Sequence, residues 1–430
     1  MTDVRPFRGL RYDPDVVRDW GAVLGPPYDI IGPKERAALV MQSPYQITQV
    51  EAPLGRDGVA AAATKLRQWR HEGALRQDFA PGFYVAEHQF SHAGRECSRT
   101  SIYAIVQLTP WAEGAVLPHE WTMPGPKAER ASLREAVRAD ISPVMSLVRD
   151  RQGKIVEVLE AARTMEPVAE GSDANGDRHS LRIINHPMFV SALVKAFQEE
   201  ILYIADGHHR YESALEYRDR LAAAAGQSWS GAEPENFILM GLVRAEDAGL
   251  IVGATHRMIQ VAPPTDAIER IGATFAVKEI GSISDGLDAL THQVEAAGTS
   301  APAMVVLGLR GATIHLLRAD ARTATALPAE VPSSWSALEA ALLQYLILGP
   351  VFGIDDAALR AGDAVTYSHD AGAVFEAVSG GRVQAGFILT PPTLAQLYAA
   401  AEGGERMPQK STYFTPKLPT GLVLHAFDPT

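Results

Sequence analysis

The amino-acid sequence predicts a mixed α/β fold, because short apolar segments rich in β-forming residues alternate with segments of helical spacing. The clearest strand is the run "ILYIA" at 201–205, which leads through a tight turn into a helical segment. Two β-rich runs on either side of Gly94 predict a further pair of strands, and the dipeptide Asn175-Gly176 is a strong hairpin signal. These patterns predict strands and helices along the whole chain.

The first half of the chain is punctuated by prolines and glycines at the ends of the periodic segments. Helices are predicted from Pro33, over Gly58–Gly73, from near Pro126 and from Pro187, and strands on both sides of Gly94 and over 141–148. Two prolines precede Tyr28 and Asp29, so these residues are expected in a stiffened loop.

From about residue 265 the pattern indicates further α/β layers. A hairpin is predicted around Gly311, and "QAGFILTPP" predicts a buried strand followed by a helix in "TLAQLYAAAEGG". The segment "SSWSALEAALLQYLILGP" predicts one continuous helix that a serine caps and Gly349 ends. We therefore divide the chain into a core at 1–265 and a C-terminal region at 266–430 packed on it.

Composition and charge restrict the class of protein. The 430 residues carry a net charge of −12, which argues against a nucleic-acid-coating protein, since phosphate neutralisation needs clustered Lys and Arg. The single cysteine, Cys97, excludes an internal disulfide and a cysteine-based zinc cluster. The first residues lack the apolar core of a secretion signal, and no segment approaches the ~20 apolar residues of a membrane span. We expect a cytoplasmic protein that binds neither membranes nor nucleic acid, and a homodimer is compatible with the sequence.

The segment "YIADGHHRYESALEY" at 203–217 places charged and aromatic groups at a strand-to-helix corner. Asp206, Gly207 and the two histidines fall in the turn or the first helical positions. The first turn of a helix directs amide groups outward and carries partial positive charge, so it attracts anions. Gly207 lets a ligand approach the backbone, and Arg210 offers a planar pair of donors that suits phosphate oxygens. The corner therefore predicts an anion site, with a simple helix cap by Asp206 as the alternative.

A metal site is the chief chemical rival. His119, Glu120, Asp206, His208, His209 and His256 are ligand types, but adjacent histidines lie ~100° apart on a helix and rarely bind one ion together. The spacings HxH, HExxH and HxxxH are missing at these positions. We therefore predict no protein-only metal site.

Six segments in order resemble a large uncharacterised prokaryotic family, domain-of-unknown-function family 1015. The resemblance covers nearly the whole chain and lies in "PPYDII", "LPHEWTMPGPKAER", "ISPV", "YIADGHHRYESAL", "GATHRMI" and "MPQKSTYFTPKLPTGLV". The Asp-Gly-His-His-Arg corner also resembles, more distantly, the phosphate-binding corner of free serine kinases of the ParB/sulfiredoxin-like fold. That second resemblance implies a ParB/sulfiredoxin-like core elaborated by additional α/β layers.

The kinase resemblance implies that residues 207–210, Gly207, His208, His209 and Arg210, hold donor phosphates. In phosphoryl transfer, cationic donors and often Mg²⁺ hold the transferred group while a carboxylate accepts the nucleophile's proton. Residues of the other segments fit these roles. We assign donor binding also to Lys127, Arg130 and Lys410. The expected catalytic groups are Glu120, Asp206 and His208. The expected substrate-binding residues are His119, Thr122, Asp29 and Ser411.

Glu120 is the first choice for the base and Asp29 the second. The resulting hypothesis is a small-molecule kinase that phosphorylates free L-serine or a similar metabolite, with Mg²⁺ and ATP, ADP or pyrophosphate. Two alternatives stay open: a nucleotide-binding regulator of the ParB type, and a metal-dependent hydrolase or phosphatase.

Overall fold

The computed structural model describes residues 1–122, 124–286 and 301–428. The chain forms two compact units. The first consists of Met1–Pro118, Thr122–Ile251 and Pro416–Thr430, and the second of His119–Trp121 and Val252–Thr415. The chain therefore leaves the first unit after Ile251 and returns to it at Pro416. The sequence-based division near residue 265 stays a prediction about domains.

The regular elements of the described residues are numbered in chain order. The strands are β1 (Val4–Arg5), β2 (Leu10–Tyr12), β3 (Leu75–Gln77), β4 (Phe83–His92), β5 (Arg95–Gln107), β6 (Val116–Leu117), β7 (Ala139–Asp140), β8 (Val144–Val148), β9 (Ala169–Ser172), β10 (Arg178–Ile184), β11 (Leu202–Asp206), β12 (Phe237–Arg244), β13 (Ile251–Gly253), β14 (His256–Ile259), β15 (Phe275–Ser282), β16 (Ala303–Leu307), β17 (Thr313–Ala319), β18 (Val365–Ser368), β19 (Ala385–Ile388), β20 (Tyr413–Thr415) and β21 (His425–Ala426). The α-helices are α1 (Pro33–Val40), α2 (Thr48–Glu51), α3 (Gly58–His71), α4 (Pro124–Val137), α5 (Lys154–Arg163), α6 (Pro187–Gln198), α7 (His208–Ala225), α8 (Ala267–Gly272), α9 (Ala321–Ala326), α10 (Glu339–Leu343), α11 (Asp356–Ala361), α12 (Ala371–Ser379) and α13 (Leu394–Glu402).

The first unit is built on a nine-stranded mixed sheet within the described residues. Its strand order is β6-β11-β8-β12-β5-β4-β10-β9, and β1 pairs with β5. The pairs β11–β6 and β12–β8 are parallel, whereas β12–β5, β4–β5 and β10–β4 are antiparallel. The strand β11, which carries the Asp206 corner, therefore lies between β6 and β8 and is buried along most of its length.

Apolar clusters cover both faces of this sheet. This explains why its strands β5 and β12 contain consecutive apolar residues. On β5, Ile102 and Ala104 belong to one cluster, while Tyr103 between them belongs to the other. The same alternation holds for Met240 and Leu239 on β12. Successive residues of a strand point to opposite faces, so a strand covered on both sides must be apolar at every position.

Within the part of the chain that the structure describes, the second unit has its own six-stranded sheet and its own core. The strand order is β15-β17-β16-β19-β14-β18, and the pairs for which a register is defined are antiparallel. Its largest apolar cluster includes Phe275, Leu342 and Phe387. None of the helices formed by the described residues is long and apolar enough to span a membrane.

The predicted mixed α/β fold is confirmed, and most predicted elements lie where the pattern placed them. The helix predicted as continuous after Ser333 is wrong. A 3₁₀ turn covers Ser333–Ala337, Leu338 is extended (φ −100°, ψ 111°), and α10 begins only at Glu339, followed by a π-helical turn at Gln344–Leu348. The physical reason is the buried carboxylate of Glu339, which accepts the amides of Ala303 at 3.0 Å and Thr390 at 2.6 Å and so fixes where the helix restarts.

Candidate functional site

The strand-to-helix corner of the first unit has the predicted conformation. β11 ends at Asp206, Gly207 has a φ of 94°, and the 18-residue helix α7 begins at His208. A side chain at position 207 would be strained at this φ, and its Cβ would lie 3.0 Å from Nε of Arg210. The pairing register between β11 and β8 shifts between Ile204 and Asp206, and such an irregularity changes the direction of the side chain at the strand end.

Asp206 is the centre of the corner because it binds two cations. Nη2 of Arg210 donates to its Oδ2 at 2.6 Å, and Nζ of Lys417 donates to its Oδ1. Burial alone would raise the pKa of Asp206, but the charges of Lys417 and Arg210 lower it well below its ordinary value. The carboxylate is therefore ionised at any physiological pH, and the three groups form a cluster with more positive than negative charge.

The sequence interpretation assumed that Arg210 offers a pair of donors to a ligand. In the structure, both of its Nη atoms already have partners within the protein. Nη2 binds Asp206, and Nη1 donates to the carbonyl oxygen of Pro143. Burial lowers the pKa of Arg210, but the charges of Asp206 and Asp29 raise it more, so the guanidinium stays charged. Arg210 thus holds Asp206 and contributes positive charge at the helix N-terminus.

Lys417 is positioned by the segment that returns from the second unit. Nη1 of the buried Arg99 donates to the carbonyl oxygen of Pro416 at 2.6 Å. On the other side of Lys417, the side chain of Leu418 packs over Gly241 of β12, where an added Cβ would come within 2.3 Å of it. Both neighbours of Lys417 are therefore fixed against the sheet, which places its ammonium group on Asp206.

Arg130, predicted to bind the donor, lies in a buried layer of the first unit. Nη1 of Arg130 donates to the carbonyl oxygen of Glu51 at 2.9 Å and lies 3.6 Å from its carboxylate. The guanidinium stacks over the ring of Tyr28 at 3.9 Å. The Glu51 carboxylate also accepts from Ser142 at 2.8 Å, and burial raises its pKa despite the charges of Arg130 and Arg210. Arg130 stabilises the loop that carries Tyr28 and Asp29.

Lys127 and Thr122 contact acidic side chains of α7. Nζ of Lys127 lies 3.3 Å from Glu212 and 2.5 Å from Glu216, and the hydroxyl of Thr122 donates to Glu212. The pairing with Glu216 is the largest of the effects that raise the pKa of Lys127. Their predicted roles in donor and substrate binding stay predictions.

Asp29 is an exposed carboxylate near the corner. It lies in a 3₁₀ turn at Tyr28–Ile30, and its charge is among the causes that raise the pKa of both Arg210 and Lys417 against the effect of burial. It thus belongs to the same electrostatic cluster as the corner. The imidazole of His208 is buried and that of His209 is half-buried at the start of α7.

The remaining predicted residues lie together in the second unit. Nε2 of His119 lies 2.8 Å from the hydroxyl of Thr412, and the carboxylate of Glu120 accepts the amide of Lys410 at 2.9 Å. The hydroxyl of Ser411 donates to the carbonyl oxygen of Pro408. The structure therefore brings His119, Glu120, Lys410 and Ser411 together, in a different unit from the corner.

Arg257 fixes the loop of the second unit that contains Gln409 and Lys410. Its guanidinium donates to the carbonyl oxygens of Thr255, Gln409 and Lys410. Burial lowers the pKa of Arg257 to about 10, against the charges of Tyr367 and Glu120, so the side chain remains protonated. Lys410 itself is exposed and has a φ of 57°, an uncommon backbone conformation for a residue with a side chain.

Sequence reasoning missed Glu51 and Arg99 and did not assign Lys417 to Asp206. Nothing local marks Glu51, which follows the apolar residue Val50 near the end of a short helix. Lys417 lies in the last of the six segments that carry the family resemblance, but its partner Asp206 is 211 positions away along the chain. Among the residues that the structure describes, no group of three or more His, Cys, Asp or Glu side chains could hold a metal ion.

Comparison with solved structures gives distant matches. A free serine kinase, a mutant form in complex with AMP, is 11% identical and covers 74% of this chain and 92% of its own, with a TM-score of 0.38. A conserved hypothetical protein from Pyrococcus furiosus is 13% identical, covers 75% and 94%, and has a TM-score of 0.36. SbnI with C-terminal truncation from Staphylococcus aureus is 10% identical, covers 75% and 87%, and has a TM-score of 0.36.

No curated protein matches this chain. Residues 4–340 match the family described as "Protein of unknown function (DUF1015)". That range includes the corner at Asp206 and five of the six sequence segments that carry the resemblance, whereas the sixth, "MPQKSTYFTPKLPTGLV", lies beyond residue 340. The chain therefore belongs to the DUF1015 family.

Proposed function

We propose that this protein is a phosphotransferase that moves a phosphoryl group from a nucleotide or pyrophosphate to the hydroxyl of a small metabolite such as free L-serine. The observation that carries the proposal is the cluster of Asp206, Arg210 and Lys417 at the N-terminus of α7. Two cations share one carboxylate there, at the positive end of an 18-residue helix. Such a place attracts an anion with several oxygens.

The donor phosphates would lie against the amide groups of residues 207–210, which Gly207 allows them to approach, with Lys417 as a neighbouring cation. Asp206 and Arg210 would act as positioning residues. Asp206 holds the ammonium of Lys417, and its depressed pKa makes it a weak proton acceptor. His208 and His209 stay candidates for contact with the donor.

We assign Asp29 as the base, because its charge acts on both Arg210 and Lys417 at the corner. The acceptor hydroxyl loses its proton to the Asp29 carboxylate while its oxygen bonds to the transferred phosphorus. The bond from that phosphorus to the leaving oxygen breaks, and the donor leaves shortened by one phosphoryl group. The charges of Lys417 and Arg210 stabilise the negative charge that builds up on the phosphoryl oxygens.

Mg²⁺ would enter with the donor. The described residues contain no group of three ligands, but Mg²⁺ is commonly held by substrate phosphates and water with few protein oxygens, so the residues present are compatible with it. When bound, it neutralises charge on the donor phosphates.

The test is a transfer assay with purified protein, L-serine, Mg²⁺ and each of ATP, ADP and pyrophosphate, read by mass spectrometry for phosphoserine. The Arg210→Ala variant should bind the donor about tenfold more weakly, because it removes positive charge at the N-terminus of α7 and one of the two cations that hold Asp206. Lys417→Ala should lose transfer in the same assay. Arg220→Ala, which removes an exposed arginine of α7 paired with Glu135, is the matched control.

Two outcomes would contradict the proposal. One is no phosphorylated product with any donor together with no donor binding in calorimetry. The other is donor affinity that is the same in Arg210→Ala and Arg220→Ala. Binding of a nucleotide without transfer to any acceptor would instead favour the regulatory alternative.

A further inference from the structure

A cavity of about 260 Å³ lies within the first unit, beside Lys417. It is lined by the loop before α1, by α1 itself, by the β4 and β9–β10 region and by the returning segment at 416–419. Cavities for drug-sized ligands are ~300–1,000 Å³, so this one suits a smaller metabolite. The same lysine that binds Asp206 in the corner also lines this cavity.

Two histidine–carboxylate pairs form a large share of the polar lining. Nε2 of His88 lies 2.9 Å from Asp177, and Nε2 of His179 lies 2.9 Å from Asp173. The two imidazole rings are 4.3 Å apart, and both histidines are buried. Asp173 also accepts the amides of Asn175 and Asp177 in the hairpin turn, so the turn holds the pairs in place.

His88 has hydrogen-bonding capacity that the described part of the chain does not use. Its side chain is 8% exposed, and among the described residues its Nδ1 has no hydrogen-bond partner. Burial, together with the charges of His179 and Arg99, lowers the pKa of His88, so the ring is neutral. With Nε2–H donating to Asp177, Nδ1 carries a lone pair that can accept a hydrogen bond.

The charges on the lining favour a positively charged ligand. Glu35, Asp173 and Asp177 line the cavity, whereas its cationic groups are Lys417, whose charge is already shared with Asp206, and His179, which is paired with Asp173. Burial and the charge of Asp173 raise the pKa of Asp177, as expected where negative charge is in excess. The rest of the lining includes apolar side chains such as Leu24 and Leu39, which exclude water from a small ligand.

We propose that this cavity binds the phosphoryl acceptor, and that the acceptor is a small hydroxyl compound carrying an ammonium group. The ammonium group contacts the carboxylates of Asp177 and Asp173 and donates to Nδ1 of His88, while the hydroxyl end lies towards Lys417. The description as an acceptor rests on the proposed phosphotransferase function. The selection for an amine rests on the cavity alone.

The experiment measures binding by calorimetry and by ligand-observed NMR with the full-length protein. The probes are ethanolamine and L-serine, with ethylene glycol and glycerate as matched compounds that lack the amine. Ethanolamine and L-serine should bind about tenfold more tightly than their matched compounds. Asp177→Asn, which keeps the side-chain size and removes the charge, should abolish that preference, and Asp219→Asn on the exposed side of α7 should retain it.

The same variants are titrated with ATP and pyrophosphate, whose affinities should not depend on Asp177. Asp173→Asn, whose amide oxygen can still accept the two backbone amides of the turn, repeats the test if Asp177→Asn does not fold. Equal binding of amines and matched compounds, or an amine preference that survives in both variants, would overturn the cavity assignment. Amine binding that depends on Asp177, without transfer from any donor, would keep the cavity assignment and overturn the proposed phosphotransferase function.

Discussion

Each of the two units contains a cluster of one acidic side chain, one arginine and one lysine, but the side chains of the two clusters have different partners. At the corner of the first unit, Arg210 and Lys417 both bind the carboxylate of Asp206. In the second unit, Arg257 donates to backbone carbonyl oxygens, and Glu120 accepts a backbone amide. The ammonium group of Lys417, bound to a side-chain carboxylate, can exchange that partner for a phosphate oxygen. A cation that satisfies buried carbonyl oxygens cannot leave them without a cost, so the second cluster fixes a loop.

The largest expected effect is the loss of Asp206. Asp206→Ala leaves two buried cations beside each other, and removing one partner of a buried ion pair costs about 3–5 kcal/mol in the free energy of unfolding. Urea denaturation followed by circular dichroism measures the change. Asp219→Ala removes an exposed carboxylate of the same helix and should cost under ~1 kcal/mol. If the two variants lose equal stability, Asp206 does not hold the corner together.

The next-largest expected effect is the dependence of protein stability on pH that His256 causes. Burial, with the charges of Arg257 and His369, lowers the pKa of His256 to about 4, and its Nδ1 accepts the amide of Leu389 at 3.2 Å. Below the unfolded pKa of ~6.5 the unfolded state binds more protons, so stability falls as the pH drops from ~6.5 to about 4, by about 2–3 kcal/mol in all.

The variant His256→Gln keeps an acceptor for Leu389 and should lose this part of the pH dependence. Asp206 behaves differently because its pKa is lowered from a more acidic starting value. Its stabilisation is complete above the unfolded pKa of ~3.9 and is lost only as the pH falls further towards its folded pKa. Denaturation midpoints from pH 8 to pH 4 measure the difference, and identical profiles for the wild type and His256→Gln would contradict the assignment.

The smallest effect concerns Arg257. Arg257→Met should cost about 1.5–3 kcal/mol in the free energy of unfolding, since buried carbonyl oxygens lose a charged donor. Donor affinity should not change, because the donor is assigned to the first unit. Arg318→Met at an exposed position of β17 is the control. A loss of donor affinity in Arg257→Met alone would show that the second cluster also binds the donor.

Local patterns predicted the fold well and the site in part. The corner at 203–217 was predictable because a strand, a glycine turn and a helix are specified by neighbouring residues. The helix predicted after Ser333 failed because the carboxylate of Glu339 binds the amides of Ala303 and Thr390, which are distant in the sequence, and no local pattern reports such a bond.

The partners of the corner could not be predicted for the same reason. Lys417 reaches Asp206 across 211 positions, and Arg99 reaches Pro416 across 317. A single sequence carries no information on which distant residues meet. The sequence also grouped Glu120 and Lys410 with the corner because of their chemistry, whereas the structure places them in another unit.

The return of the chain at Pro416 has a consequence for synthesis. A ribosome that adds ~5–20 residues per second needs roughly ten to thirty seconds to translate the stretch between Ile251 and Pro416. During that delay the nascent first unit has Arg210 beside Asp206 but lacks Lys417, and Gly241 has no Leu418 to cover it. During the same delay, β7 lacks its pairing strand β21, and Leu10 lacks its bridge partner Leu424. The first unit should therefore stay incompletely folded until the segment from Pro416 onward has been synthesised.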